Sequence, residues 1–394
     1  MALEHDVYVI GVGMHRISAA PTPVRDMAFD AGINAMNDAG IEFDTVGALY
    51  NGYASGGMTV GVTLAKDFGL TGVPVAHVEN ASATGSSAFR EAVLSVAGGH
   101  SRCAMALGFD PSPGAMMSGG GGALSAGMLS AFFKPSVEGT LLPAAFFALW
   151  AVRRMHEAGT TVETYAKIAA KNWNHARLNP YAQRQADHQI TAEEVLNSTM
   201  IAYPHTSMMA AAVGGGAACA IVADRELAEQ VRDRMGHPLV KVVSSRSESE
   251  RYTPGHLFMG AVVGPSELTR STSQAAYEES GLGPADLDLV HVHDAFPVEE
   301  LLYYELLGIC GEGEGDKLVA EGATEIGGRI PFSTDGGLIG RGHPVGPTGL
   351  AQIWDTTVQV RGQAGSRQVE GARTGMAHMM GAGSVCIIHI LQRQ

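Results

Sequence analysis

Cysteine is scarce in this 394-residue chain: four, at 103, 219, 310 and 386, none close to another. No pair has the spacing of a zinc site or a disulfide framework, so a thiol-stapled secreted scaffold and a structural zinc module are excluded. Each lies in an apolar or glycine-rich setting, where a thiol is expected to be buried and inert. Positive charge is also in short supply. The 26 Lys and Arg face 40 Asp and Glu, a net charge of −14. That balance argues against nucleic acid or an anionic membrane surface as a general partner, while leaving room for a local basic spot. No apolar run reaches the length of a membrane span, and the first strand begins at Val7, too early for a secretory signal. A reducing, cytoplasmic setting is expected. With 45% hydrophobic and 17% charged residues the chain reads as globular, long enough for one large or two medium domains.

Glycine is abundant, and it is concentrated where the sequence is most informative. In the run Gly336 to Gly349, eight of fourteen residues are glycine or proline. Such a loop needs backbone conformations that side chains forbid. It carries one histidine, His343, just before a helix expected over 348–360 with Leu350, Ile353, Trp354 and Val358 at helical spacing. A helix N-terminus favours developing negative charge. A second histidine stretch, His291-Val292-His293-Asp294-Ala295-Phe296, is the natural partner of this loop.

Along the chain, strands and helices alternate. Residues 6–13 read as a buried strand, and Gly11-x-Gly13 lacks the third glycine of a dinucleotide loop. A helix over 23–39, a strand over 46–50 and a strand over 75–78 follow. The small residues Glu79 to Ala88 then make a sharp elbow into a helix reaching Ala97, with Ser82 as the side chain displayed. Further elements are a strand over 102–108, helices over 143–158 and 161–176, and a strand over 218–223. Residues 113–140, with Gly119 to Gly122 and several methionines, suit an adaptable segment that covers a site or meets a subunit. After residue 237 the order returns: a strand at 240–243, a helix at 268–280, an acidic turn, a strand at 289–293, and a glycine turn with a closing strand over 377–390. The elbow and helix at 80–98 correspond to the loop and helix at 342–360. Alternation implies α/β layers, and the repeat implies two similar halves with the site between them.

His293-Asp294-Ala295-Phe296, Gly342-His343-Pro344-x-Gly346-x-Thr348-Gly349 and the elbow at Ser82 together resemble the thiolase superfamily, nearest to the sterol-carrier-protein type and its bacterial relatives. The resemblance implies a duplicated five-layer α-β-α-β-α fold with an inserted loop and helical cover. It divides the chain into a first half (1–112 and 181–236), a cover (113–180) and a second half (237–394). It implies a dimer that works on coenzyme A thioesters, with no permanently bound cofactor and no metal, and with a cover that helps to bind coenzyme A. By the same resemblance Ser82 stands where the family has its nucleophilic cysteine, His343 activates that nucleophile, and His293 contributes to an oxyanion hole. Asn80, Ala81, Gly381, Ala382 and His378 fall in the substrate and oxyanion region. The acid/base cysteine is absent: Ala295 and Met379 stand at the two places the family uses for it.

The residues therefore leave three readings open. Acyl transfer or retro-Claisen cleavage would use Ser82, natural or engineered, as a nucleophile. A serine alcohol is a far weaker acid than a thiol and needs an oriented base and an oxyanion hole. Retro-aldol cleavage of a β-hydroxyacyl-coenzyme A needs only a base and enolate stabilisation, which His293 and His343 can supply. Related aldolases of this superfamily act with a small zinc-ribbon and OB-fold companion protein. The third reading is a non-catalytic coenzyme A-binding subunit. Among other candidates, Asp294 is expected to face away from His293, because strand neighbours point to opposite sides. His378, His205 and His175 have packed structural readings, Asn80 and Ser86 read as helix caps, and Lys171 and Arg153 as phosphate ligands or surface salt bridges. Glu312 and Glu314 read as a solvated loop.

Overall fold

The computed structural model describes residues 4–54, 58–112, 142–252, 266–381 and 384–394. Its principal strands are β1 (Tyr8–Ser18), β2 (Ala48–Gly52), β3 (Val75–Val78), β4 (Cys103–Asp110), β5 (Met200–Ala202), β6 (His205–Thr206), β7 (Gly215–Ala223), β8 (Val240–Ser249), β9 (Leu289–His291), β10 (Thr374–Gly381) and β11 (Val385–Arg393). Its helices are α1 (Val24–Ala39), α2 (Val60–Phe68), α3 (Thr84–Ala97), α4 (Leu142–Ala158), α5 (Val162–Arg177), α6 (Ala192–Asn197), α7 (Arg225–Met235), α8 (Ser266–Ser280), α9 (Pro297–Leu306), α10 (Gly315–Ala320), α11 (Gly337–Gly340) and α12 (Thr348–Arg361).

Among the described residues, nine strands form one sheet in the order β3-β2-β4-β7-β1-β8-β11-β10-β9. Its two halves meet where β1 pairs antiparallel with β8 through Tyr8–Lys241 and Val9–Val240. Outward from that seam the order is β1-β7-β4-β2-β3 one way and β8-β11-β10-β9 the other. Parallel and antiparallel pairings match as well: β7 and β11 run antiparallel to both neighbours, and β2–β4 and β9–β10 are parallel. The place of β3 is taken in the second half by a single bridge, Val290 to Phe332.

Side-chain alternation along β7 sorts the layers. Ala217, Cys219 and Ile221 pack with Met27, Ala31 and Ala35 of α1, whereas Ala218, Ala220 and Val222 pack with Phe89 and Ala92 of α3 and Leu350 and Ile353 of α12. In the second half Val240, Val242 and Leu391 face this same central layer. Cys386, Ile388 and Ile390 face Leu268 and Ala276 of α8 on the outside. The result is the expected five-layer arrangement: α1, sheet, α3 with α12, sheet, α8.

The two central helices touch at their N-terminal ends. A Cβ on Gly85 would stand 2.6 Å from the Gly346 carbonyl, and one on Gly349 would stand 2.5 Å from the Ser86 nitrogen. Only glycine permits that approach. It brings the residues before each helix, Ser82 and His343, to the same place.

Two elements differ from expectation. The strand over 289–293 stops at His291, so His293 lies on the loop leading to α9. Residues 377–390, expected as a glycine turn and a closing strand, hold the end of a further strand, β10, which is paired with the closing strand β11. The cover stretch 113–140 lies outside the described residues. No helix among the described residues is long and apolar enough to cross a membrane.

Candidate active site

The elbow after β3 is tightly built. Ala81 adopts φ +48, in the left-handed region, which turns the chain sharply before Ser82. Its amide donates to Glu79 Oε1 at 2.6 Å, the Asn80 amide donates to Thr84 Oγ1 at 2.9 Å, and Asn80 Nδ2 donates to Ser87 Oγ at 2.8 Å. Asn80 and Ala81 thus frame the elbow, and those three donors are spent on it. The expected side-chain cap does not form: α3 starts without one, and Ser86 is pressed against Gly349. Gly381, at the end of β10, lies directly on the elbow, because a Cβ there would meet the Asn80 carbonyl at 2.4 Å. Ala382 falls outside the described residues.

Ser82 faces His343, with Oγ 3.0 Å from Nε2. On its other side, His343 Nδ1 is 2.8 Å from Thr348 Oγ1. The Thr348 hydroxyl donates to the Pro344 carbonyl, which can only accept. Its oxygen therefore accepts from His343 Nδ1–H, which leaves the lone pair of a neutral His343 on Nε2, toward the serine. Burial, then the neighbouring His293 and Arg341, hold this imidazole well below the usual histidine range. It is a neutral base aimed at a hydroxyl.

The His293 ring stands edge-on to His343, with centroids 5.5 Å apart and planes at 88°. Its Nδ1 lies 2.9 Å from Glu299 Oε1. The same carboxylate accepts from the Ala295 amide at 2.8 Å and from the Tyr303 hydroxyl at 3.3 Å. Behind it, His378 is fully buried against the Tyr303 ring at 4.3 Å, and burial lowers it to about 3.

A short segment, Ala210–Val213, stitches the two histidine motifs together. The Ala211 amide donates to the Ala295 carbonyl at 2.9 Å, and the His343 amide donates to the Ala212 carbonyl at 2.7 Å. Asp294 does face away from His293, although no strand pleat directs it. It accepts from Asn172 Nδ2 and the Leu338 amide, both at 2.7 Å, and so anchors α11 ahead of the His343 loop. Burial and the adjacent Glu300 carboxylate raise its carboxyl well above the ordinary value.

Lys171 is neither a phosphate ligand nor a surface salt bridge. It is buried, 2.7 Å from Glu300 and 3.0 Å from the Phe332 carbonyl. Arg153 makes an exposed pair with Glu157. His175 bonds the Ser333 carbonyl and the Ile326 amide, and His205 is buried between the rings of Tyr165 and Phe296. Burial pushes the Cys103 and Cys386 thiols up to about 12, so neither is a thiolate near neutrality.

Sequence reasoning brought Ser82, His343 and His293 to one place but missed both groups that hold the imidazoles, Thr348 and Glu299. A signal was present: Glu299 and Glu300, just past Pro297 and ahead of an apolar stretch, mark the first turn of a helix.

Residues 259–393 match the family described as thiolase C-terminal domain-like. The benzoylsuccinyl-CoA thiolase subunit BbsB of Thauera aromatica is 34% identical over 97% of this chain and 96% of its own length. The acetyl-CoA acetyltransferase of Methanothermobacter thermautotrophicus is 33% identical over 98% and 100%. Sterol carrier protein 2 of Rattus norvegicus is 32% identical over 97% of this chain and 71% of its own. Among solved structures, one named Ltp2-ChsH2(DUF35) aldolase superposes with a TM-score of 0.85 at 24% identity, over 100% of this chain and 99% of that one. Human mitochondrial 3-ketoacyl-CoA thiolase in complex with CoA gives 0.73 at 16% identity, over 100% and 99%. Both structures carry the same five-layer fold, and the sequence relatives run nearly the whole length of this chain. The chain belongs to the thiolase superfamily, as an enzyme of the thiolase or thiolase-like C–C lyase type.

Proposed function

We propose that this enzyme makes or cleaves the carbon–carbon bond next to the carbonyl of a coenzyme A thioester, by acyl transfer through Ser82. The observation that carries this reading is the chain Ser82–His343–Thr348, in which nucleophile, base and orienting group are in successive hydrogen-bond contact. In the cleaving direction Ser82 Oγ attacks the 3-oxo carbon of a 3-oxoacyl-coenzyme A while its proton passes to His343 Nε2. The C2–C3 bond breaks, its electron pair goes to the thioester enolate, and C2 takes up a proton. The thiol of a second coenzyme A then displaces the acyl group, its own proton making good the one taken up at C2, and His343 returns the proton to Ser82. The backbone at Gly381, against the elbow, is assigned to the oxyanion of the tetrahedral intermediate.

A serine ester is lower in energy than the thioester it must regenerate, and an alcohol is a weaker acid than a thiol. Slow turnover with an accumulating acyl-enzyme follows. A 3-oxoacyl-coenzyme A incubated with free coenzyme A should yield two shorter acyl-coenzyme A products, and Ser82→Ala should remove that activity. An undiminished rate in Ser82→Ala would overturn the reading.

One observation favours a second reaction. Positions 82, 295 and 379 hold Ser, Ala and Met, while His293 carries its own carboxylate. Retro-aldol cleavage of a β-hydroxyacyl-coenzyme A needs that histidine and not Ser82. Its signature is release of an aldehyde or ketone that survives Ser82→Ala. A homodimer in a cytoplasmic, reducing compartment is part of both readings, with a companion zinc-ribbon and OB-fold subunit in the aldolase case. A relative named as a subunit and a neighbour whose name joins two components support that companion. Native mass measurement tests both assemblies.

A further inference from the structure

One proton of the reaction has no cysteine to carry it. The carbon next to the thioester gains a proton in cleavage and loses one in synthesis, and Ala295 and Met379 cannot take part in either. His293 can, because of how it is held. Glu299 is 2% exposed and accepts from the Ala295 amide and the Tyr303 hydroxyl as well as facing His293 Nδ1. A carboxylate so engaged fixes the proton of a neutral His293 on Nδ1. The lone pair then sits on Nε2, which is buried and has no hydrogen-bond partner among the described residues. A neutral His293 in this tautomer cannot donate to a thioester oxygen from Nε2, which is the duty the family resemblance gives it. It must first take a proton.

We propose that His293 and Glu299 are the proton-transfer pair of this enzyme and fill the place of the missing acid/base cysteine. His293 is the catalytic residue: Nε2 removes the proton from C2 of the bound thioester, the C–H electron pair passes into the enolate, and the new Nε2–H then donates to the enolate oxygen. Cleavage runs the same steps in reverse, the protonated Nε2 giving its proton to C2 and the attacking coenzyme A thiol restoring it. Glu299 is a positioning residue that holds Nδ1–H and balances the imidazolium, which a buried site would otherwise penalise. In the aldol variant the β-hydroxyl proton goes to Nε2 and returns to C2, so no outside acid is needed. The inference rests on the acyl-coenzyme A reading above. The other titratable groups facing His293 are His343, from the loop before α12, and His378 of β10, while Tyr303 of α9 faces Glu299. Burial keeps both of those histidines neutral.

The test is deuterium uptake at C2 of acetyl-coenzyme A and propionyl-coenzyme A in heavy water, followed by mass spectrometry. Exchange needs enolate formation but no acyl-enzyme. The wild type should exchange. His293→Gln should lose about 10²-fold or more. Glu299→Gln should lose at least about tenfold, with the acid limb of its pH–rate profile displaced to lower pH, and Glu299→Asp, which keeps the charge, should recover most of the rate. A purely structural Glu299 would not move that limb. Exchange in Glu299→Gln at the wild-type rate with an unmoved limb overturns the pair, as does His293→Gln exchanging normally. A wild-type protein that binds acetyl-coenzyme A by calorimetry but exchanges nothing also overturns it. Absence of binding as well would bring down the acyl-coenzyme A reading itself.

Discussion

His343 gives its Nδ1 proton to a threonine hydroxyl, whereas His293, with its ring centroid 5.5 Å away, gives its proton to a buried carboxylate. Burial, with His293 and Arg341 as its electrostatic neighbours, keeps the first imidazole neutral. The second has the Glu299 carboxylate in direct contact, 2.9 Å from its Nδ1. In the proposed reaction these environments make one imidazole the base for the alcohol at Ser82 and the other the shuttle for the carbon next to the thioester. Different environments acting on like groups mark out separate proton roles.

The comparison can be broken most severely at its nucleophile. Ser82→Ala should lower acyl transfer by at least about 10³-fold while leaving acyl-coenzyme A affinity intact, as measured by steady-state kinetics and calorimetry. Next comes His343→Ala, for which acyl-enzyme formation should fall by about 10²-fold to 10³-fold while exchange at C2 persists. That split would show that the two histidines serve separate protons, whereas equal loss of both signals would merge them. Thr348→Val is a finer cut. It leaves His343 free to place its proton on Nε2, turning the lone pair away from Ser82. A loss of about tenfold in kcat is expected, well short of the ~10⁴ that follows when a charged orienting group is removed. Thr348→Ser, which restores the hydroxyl, should recover the rate.

The mildest test concerns stability. His175, His378 and His389 are lowered by burial to about 3 and His205 to about 4. The unfolded chain protonates these groups near pH 6.5 while the folded chain does not, so their contribution is present above that pH and fades as pH falls toward 4. Each should cost about 1.4 kcal/mol per pH unit in that window, read as a drop in urea midpoint between pH 7 and pH 5.5. His291 acts in the opposite sense. Burial alone would lower it, but Asp335 and Asp355 raise it to about 9, so its contribution is complete below pH 6.5 and is lost between there and pH 9.

That contrast also shows what the sequence could and could not reveal. His291 and His293 are two residues apart and look alike in the chain. One ends a strand inside a buried cluster of Asp335, Asp355, Arg341 and Arg367; the other enters the site. Repeated order, small-residue elbows and helical spacing made the two halves, Ser82 and both site histidines legible, because each is a local pattern. Thr348 lay inside a recognised motif, but its role depends on a hydrogen bond that closes only when the loop folds back on the helix. Glu299 meets His293 only because β9 ends two residues before it, which lets the chain turn into α9. Asp294 was expected to face away on a pleat argument; it does so because α11, from a remote part of the chain, brings backbone amides to it.

The most direct measurement is intact-protein mass spectrometry on the enzyme quenched during reaction with a 3-oxoacyl-coenzyme A. An acyl ester should appear on the peptide containing Ser82, more slowly in His343→Ala and not at all in Ser82→Ala. Turnover that proceeds with no adduct on that peptide, and at an unchanged rate in Ser82→Ala, would contradict the assignment of Ser82 as the nucleophile.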